Sequence, residues 1–367
     1  MFPIIRELKE RKINHTVYAV AQHTSLLDQA LEEFGIKAYK IDIDRGQFDL
    51  NGVIGQVTTK LHSLLRTYEP DFVLVQGDTT TAMAAALASF NLRISVGHVE
   101  AGMRTYNLDA PFPEEANRQV ISRIAKIHFC PTSREAEVLK GEQMSGGMAA
   151  VVTGNTGIDA IRLTSGKVKK AKEEVVNEWL EDTGNKKIVM TAHRRESFGD
   201  KYKQILSAAN DIMTKRKVDI LFPVHPNPNV RKMIESCFGE LGVYVNKETG
   251  SRFMMCEPIG YADMVFALKN ADILLTDSGG LQEEATYFWV PTVVMRKETE
   301  RVQAVEAGMA VLVGPNRKKI VKHVRDLIDM PFDRGKRKLV YGDGHAAERI
   351  VDFLITANSV NGLSWKR

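Results

Sequence analysis

Short β-branched runs alternate with amphipathic stretches along almost the whole chain, and they do so in two successive series. Strands joined by helical crossovers pair in parallel, and a parallel sheet carries helices over its faces, so this alternation sets the fold class as α/β. In the first series the runs at residues 16–20, 72–75, 94–97 and 127–130 predict strands, with helices at 26–34, closed by Gly35, and at 53–68. A further strand at 151–153 leads into a Lys- and Glu-rich helical stretch, after which strands are predicted at 188–191, 220–224, 273–275 and 292–295 and helices at 204–215, 230–238 and 262–269. Two doubly wound domains follow from this, residues 1–155 and 156–344, hinged around residue 155. An amphipathic helix at about 345–357 heads the remaining segment, 345–367, which can return to the first domain. The opening segment, MFPIIRELKERK, sets Phe2, Ile5 and Leu8 among charges and reads as a helix. A doubly wound domain ordinarily opens with a central strand, so the first domain is expected to lack that strand.

A chain of 367 residues, 44% of them hydrophobic, has the material for two separate cores. Its 50 basic and 46 acidic residues are mixed rather than blocked, and a net charge of +4 argues against a nucleic-acid partner. Cys130, Cys237 and Cys256 are too scattered to suggest a disulfide framework or a zinc site. No apolar run approaches the roughly 18 residues that span a bilayer, and the N-terminus lacks the order of a signal peptide. A cytoplasmic protein with no membrane partner is expected.

In open α/β sheets ligands bind beyond the carboxyl ends of the strands, so polar residues just past an apolar run carry the functional information. ILLTDSGGLQEEA (273–285) reads as a buried strand, a polar turn containing Ser278, then Gly279, Gly280 and a helix. Such glycines let backbone approach an anion, the helix N-terminus offers N–H groups to phosphate, and Glu283 or Glu284 can accept from ribose hydroxyls. The alternative is an ordinary turn whose glutamates complement the helix dipole. VLVQGDTTT (73–81) puts Asp78 at a strand end, either for function or to cap the next helix. VGHVEAGMRT (96–105) gathers His98, Glu100 and Arg104 around Gly97 and Gly102, and a carboxylate among such small residues points to function. APFPEEANR (110–118) sets Glu114 and Glu115 in a first helical turn behind two prolines, where the helix dipole stabilises them in any case. TAHRRES (191–197) offers His193, Arg194 and Arg195 to a diphosphate, and Arg301 is a second cation able to reach phosphate. His225 sits in a rigid proline loop, and a lone histidine there is not expected to bind a metal. The first domain thus supplies carboxylates able to move protons, and the second supplies cations for a departing nucleoside diphosphate.

GDTTT (77–81), GHVEAGMRT (97–105), PFPEEANR (111–118), VTGNTGIDA (152–160), HRRESFG (193–199), PVHPNP (223–228) and DSGGLQEEA (277–285) occur in this order. Together they resemble the non-hydrolysing UDP-N-acetylglucosamine 2-epimerases over nearly the whole chain. The resemblance implies a GT-B fold, two Rossmann-like domains with the site in the cleft between them, usually in a homodimer. It implies reversible C2 epimerisation of UDP-GlcNAc to UDP-ManNAc with no metal and no nicotinamide, by anti elimination of UDP to 2-acetamidoglucal and re-addition. Asp78, Glu100 and Glu114 match the family's catalytic carboxylates, and His193 matches the histidine near the departing UDP. Ser278, Gly279, Gly280, Glu284 and Arg301 match the residues that hold UDP, with Glu284 on the ribose, and Arg194 is grouped with them. Gln22 and His23 match part of a second, regulatory UDP-GlcNAc site, although Ser25 stands where regulated members often carry a longer polar side chain. Members of the family open with an apolar strand, GTRPE and a lysine; this chain starts just after that lysine position, so binding is expected more firmly than turnover. Val302 and Gln303 replace a usual Pro and Glu, and Ile259 and Met264 replace residues that frame the uracil. A hydrolysing epimerase releasing ManNAc and UDP, a glycosyltransferase of the same fold, and a UDP-sugar-binding protein without turnover remain alternatives.

Overall fold

The computed structural model describes residues 1–21, 25–44, 49–142, 149–193, 199–330 and 339–360. The chain divides into two compact units, Met1–Ala160 with Tyr341–Arg367, and Ile161–Val340.

The first unit opens with helix α1 (Phe2–Glu10), which has Pro3 in its first turn, where a missing N–H is harmless. Ile4 is fully buried against Phe72, Leu74 and Val151 of the sheet and against Ile350 and Val351 of the C-terminal helix, Ala346–Val360. That helix joins this unit because Asp159 caps it, accepting from the N–H groups of Ala346 at 3.0 Å and Ala347 at 2.7 Å. Nearby the backbone crosses itself: Gly154 and Gly342 have φ of +91° and +104°, and a Cβ on Gly342 would stand 2.9 Å from the Gly154 Cα. Glycine is required there for both reasons.

Strands β1 (Tyr18–Ala21) and β2 (Tyr39–Asp42) pair in parallel, and β3 (Phe72–Gln76), β4 (Ser95–Val99), β5 (Ile127–Cys130) and β6 (Ala149–Val152) form a second parallel sheet in that order. The unit therefore has two parallel sheets without ladder hydrogen bonds between them among the described residues. One apolar layer serves both. Tyr18 and Val20 of β1 and Val73 of β3 pack with Val57, Leu61 and Leu65 of α2 (Leu50–Tyr68) and with Ala84 and Ala88 of α3 (Thr80–Asn91). Helix α2 starts three residues before the apolar periodicity because Asp49 caps it, accepting from the Gly52 N–H at 3.0 Å. Helix α4 (Glu114–Ile124) follows the loop after β4.

In the second unit β7 (Lys186–Thr191), β8 (Val218–Pro223), β9 (Gly242–Val245), β10 (Arg252–Cys256), β11 (Ile273–Thr276), β12 (Thr292–Val294) and β13 (Ala310–Leu312) lie in the order β13-β12-β11-β7-β8-β10-β9. All neighbours are parallel except the edge pair β9–β10. Both faces are buried, which is why the strands read as unbroken apolar runs. Ile188, Met190, Ile220, Phe222 and Leu275 meet Tyr202, Ile205 and Leu206 of α5 (Asp200–Lys215), whereas Val189, Leu221, Met254 and Leu274 meet Trp179, Ala285 and Val290 on the other face. Each such side chain contributes about 1.5–3 kcal/mol of burial. The central strand is β7. From it the chain builds outward through β8 and β10 and then crosses back to β11, so the order reverses between β7 and β11. No helix of the described residues is long and apolar enough to cross a membrane.

Candidate active site

In the first unit the polar residues gather where β3 and β4 end. Gly77 follows β3 with φ +73°, and its carbonyl accepts from His98 Nε2 at 2.9 Å. His98 is fully buried, and burial pushes its imidazole down to about 4 despite that bond. Asp78 follows. Its carboxylate accepts from Arg118 Nη2 at 2.5 Å and its carbonyl from Asn117 Nδ2 at 2.8 Å, both from α4. Asp78 is not the cap of the following helix; Thr79 is, accepting from the Ala82 N–H at 3.1 Å.

Glu100, just past β4, holds a left-handed backbone at φ +65°, a conformation that a non-glycine residue keeps only where its surroundings impose it. Its Oε2 accepts from Gln76 Nε2 at 3.5 Å and lies 3.6 Å from where a Cβ on Gly77 would stand, so a side chain at position 77 would meet this carboxylate. Gly102 seats the same loop, since a Cβ there would come 2.5 Å from the Glu135 carbonyl oxygen. Arg104 is a support rather than a ligand group: it pairs with Glu142 at 2.8 Å and donates to Ser122 Oγ at 2.7 Å.

The adjacent glutamates of α4 separate into two kinds. Glu115 is fully buried and accepts from the N–H groups of Thr105 and Tyr106 at 3.0 and 3.1 Å, from Arg118 at 3.0 Å and from Gln119 at 3.0 Å. Burial opposes its charge, yet these donors hold the carboxyl below the usual range. Glu114 has a buried Oε2 with no hydrogen-bond partner among the described residues. Arg118, which sequence reasoning passed over, thus links Asp78 to Glu115. Its spacing, three residues after Glu115 on a helix, was the available signal.

In the second unit the seat lies at the reversal point of the sheet, where ligands of open α/β sheets bind. The ends of β7 and β11 are tied by the Thr191 and Thr276 hydroxyls, 2.6 Å apart. Ser278 donates its N–H to Thr276 Oγ1 at 2.9 Å and caps α6 (Gly279–Phe288), accepting from the Leu281 N–H at 3.5 Å. The two glycines that follow differ. A Cβ on Gly279 would stand 3.1 Å from the Arg301 guanidinium, whereas nothing lies within 4 Å of one on Gly280. Gly279 makes room for an arginine, and Gly280 leaves backbone open to a ligand.

Arg301 is buried, with Nε on Glu283 at 2.9 Å and Nη1 on Glu300, which also pairs with Arg296 at 3.1 Å. Glu283 is therefore an anchor for Arg301. Glu284 points elsewhere: burial pushes its carboxyl up to about 7, against a hydrogen bond from the Tyr261 hydroxyl at 3.3 Å. At the end of β7, His193 donates its backbone N–H to Asp277 Oδ2 at 2.8 Å and sets Nδ1 3.1 Å from Asp277 Oδ1. Its ring stacks on that of His225, with centroids 5.4 Å apart. Arg194, Gln22 and His23 lie outside the described residues.

Known proteins resemble this chain in sequence and fold. The family model described as UDP-N-acetylglucosamine 2-epimerase matches residues 6–355. The UDP-N-acetylglucosamine 2-epimerase of Campylobacter jejuni is 38% identical, covering 97% of this chain and 94% of that protein. The one from Escherichia coli K12 is 37% identical, covering 96% and 94%. Among solved structures, UDP-GlcNAc 2-epimerase from Neisseria meningitidis bound to UDP-GlcNAc superposes with a TM-score of 0.87 at 36% identity, over 97% of this chain and 96% of that one. With a GT-B-like α/β fold and this likeness along nearly its full length, the chain belongs to the UDP-N-acetylglucosamine 2-epimerase family.

Proposed function

We propose that the protein interconverts UDP-GlcNAc and UDP-ManNAc without hydrolysis. A carboxylate removes the proton from C2 while the bond from C1 to the diphosphate oxygen breaks on the opposite face. The C2–H electron pair becomes the C1=C2 double bond of 2-acetamidoglucal, and UDP departs as the anion. UDP then adds back to C1, and a proton is delivered to C2 from the other face. Asp78, Glu100 and Glu114 serve the proton transfers; Ser278, Gly279, Gly280, Glu284 and Arg301, with Arg194, serve the UDP, and His193 serves its departure.

The observation that carries this reading is the assembly of carboxylates at the strand ends of the first unit. Glu100 is held in a left-handed backbone, Asp78 is oriented by Arg118, and Glu114 keeps a buried oxygen without a hydrogen-bond partner among the described residues. Proton transfer depends on such fixed placement. Glu284 supports the nucleotide assignment, because a carboxyl raised to about 7 by burial gains from new donors such as ribose hydroxyls. A homodimer and a cytoplasmic setting belong to the same reading; light scattering of the purified chain tests the first.

Turnover in heavy water decides the reaction. Deuterium at C2 of recovered UDP-GlcNAc and UDP-ManNAc is the expected result, and free ManNAc as the only sugar product would overturn the proposal.

A further inference from the structure

We infer that Asp277 is a positioning residue for His193, holding the imidazole with its proton on Nδ1 and leaving Nε2 to meet the departing diphosphate. This rests on the reading of His193 given above.

The two residues stand one and two positions past adjacent central strands, where Thr191 and Thr276 are in register and their hydroxyls touch. Asp277 is fully buried. One of its oxygens takes the backbone N–H of His193 at 2.8 Å, and the other lies within ion-pair range of the ring Nδ1, at 3.1 Å but without hydrogen-bond alignment, so a single carboxylate holds the main chain and faces the ring of the same residue. His225 lies nearly parallel to that ring, at 15° between planes, and closes one of its faces. Among the described residues no hydrogen bond is made by Nε2, and the side chain is one-third exposed. The ring thus turns one nitrogen towards the carboxylate and one face towards His225, with the other nitrogen left for a ligand.

The choice of residue is informative. The backbone N–H of His193 would be satisfied equally well by an asparagine, without the cost of burying a charge. A carboxylate adds what asparagine cannot: it favours the proton on the nitrogen that faces it and stabilises the ring when positively charged. Among the described residues, the other titratable groups around the pair are His225, from the end of β8, and Tyr202, from α5. Burial and His193 lower the first; burial and Asp277 raise the second. Both are therefore neutral at physiological pH, which leaves Asp277 to set the proton position on His193.

The test reads the tautomer directly. In the full chain labelled with 15N-histidine, long-range proton–nitrogen spectra distinguish Nδ1–H from Nε2–H rings, and His193 is identified among nine histidines by its loss in His193→Gln. The parent chain should show neutral His193 protonated on Nδ1. In Asp277→Asn the ring should shift towards the Nε2–H form, with kcat lower by about a hundredfold and KM within about threefold. A parent chain with Nε2–H, or an Asp277→Asn chain that retains Nδ1–H, overturns the inference. The first outcome is read on the parent protein, so a variant that fails to fold does not remove the test. Epimerisation by His193→Gln at the parent rate would instead discard the catalytic reading of His193, and the tautomer would still judge Asp277.

Discussion

In the first unit the candidate carboxylates are held by other side chains, whereas in the second the proposed nucleotide seat is framed by the ends of buried strands and by the first turn of a helix. Asp78 depends on Arg118, which depends in turn on Glu115. The seat depends on Ser278, two glycines and the β7–β11 junction, to which Arg301 brings a charged network. The contrast follows from the tasks proposed for them. Moving a proton requires a carboxylate fixed to within a fraction of an ångström, while binding a diphosphate requires several N–H groups pointing one way. The first arrangement should fail sharply when one partner is removed, and the second should degrade gradually.

The largest expected difference comes from Glu115→Leu set beside Ser278→Ala. Removing Glu115 takes a buried carboxylate partner from Arg118 and orphans the N–H groups of Thr105 and Tyr106, which should cost about 3–5 kcal/mol in denaturant unfolding and nearly all turnover. Removing the helix cap at Ser278 should cost only about 1 kcal/mol. Equal losses would break the comparison.

Acid should weaken the first unit next. An unfolded histidine takes up a proton near pH 6.5, whereas burial keeps His98 neutral down to about 4 and His128 down to about 3. As pH falls through that window the unfolded state binds protons that the folded state refuses, so stability is complete above pH 6.5, declines below it, and levels off past the folded values. The loss from His98 alone is about 3 kcal/mol at 1.36 kcal/mol per unit. Neither ring nitrogen of His128 has a hydrogen-bond partner among the described residues, so His128→Leu should flatten the acid limb of a stability–pH curve without weakening the protein at pH 7. An unchanged slope would mean that His128 is not the sensor.

The smallest effects sharpen the account of the seat. Gly279→Ala pushes on the Arg301 guanidinium and should lower stability by about 1–3 kcal/mol. Gly280→Ala meets open space on a helix and should leave stability unchanged or raise it by under about 1 kcal/mol, yet weaken UDP binding roughly tenfold in calorimetry. Undiminished UDP affinity in Gly280→Ala would show that the open backbone is not where the nucleotide rests.

Most strands buried on both faces were legible as apolar runs, the readings at 188–191 and 273–275 falling within Lys186–Thr191 and Ile273–Thr276, although the buried β10 was missed. The edge strand β9 and the three-residue β13 were not, because Val243 and Val245 are exposed and so short a segment has no period to read. The helix at Ser25–Glu33 and the start at Phe2 were legible from their own periodicity. The division of the first unit into two sheets was not, since pairing is a property of partners rather than of a strand.

Local order in the chain determined the α/β class, the strand-end positions of Asp78, Glu100, His193 and Ser278, and the succession of motifs that marks the family, because periodicity and motif spacing survive without any knowledge of packing. Tertiary structure alone decided between neighbours of identical or similar type. Glu115 became the buried anchor because residues 105 and 106 fold back onto it, Thr79 rather than Asp78 became the cap because Arg118 claims Asp78, and Gly279 parted from Gly280 because Arg301 arrives from a later loop. In each case the deciding contact comes from a distant segment, and its identity is set by how the chain packs.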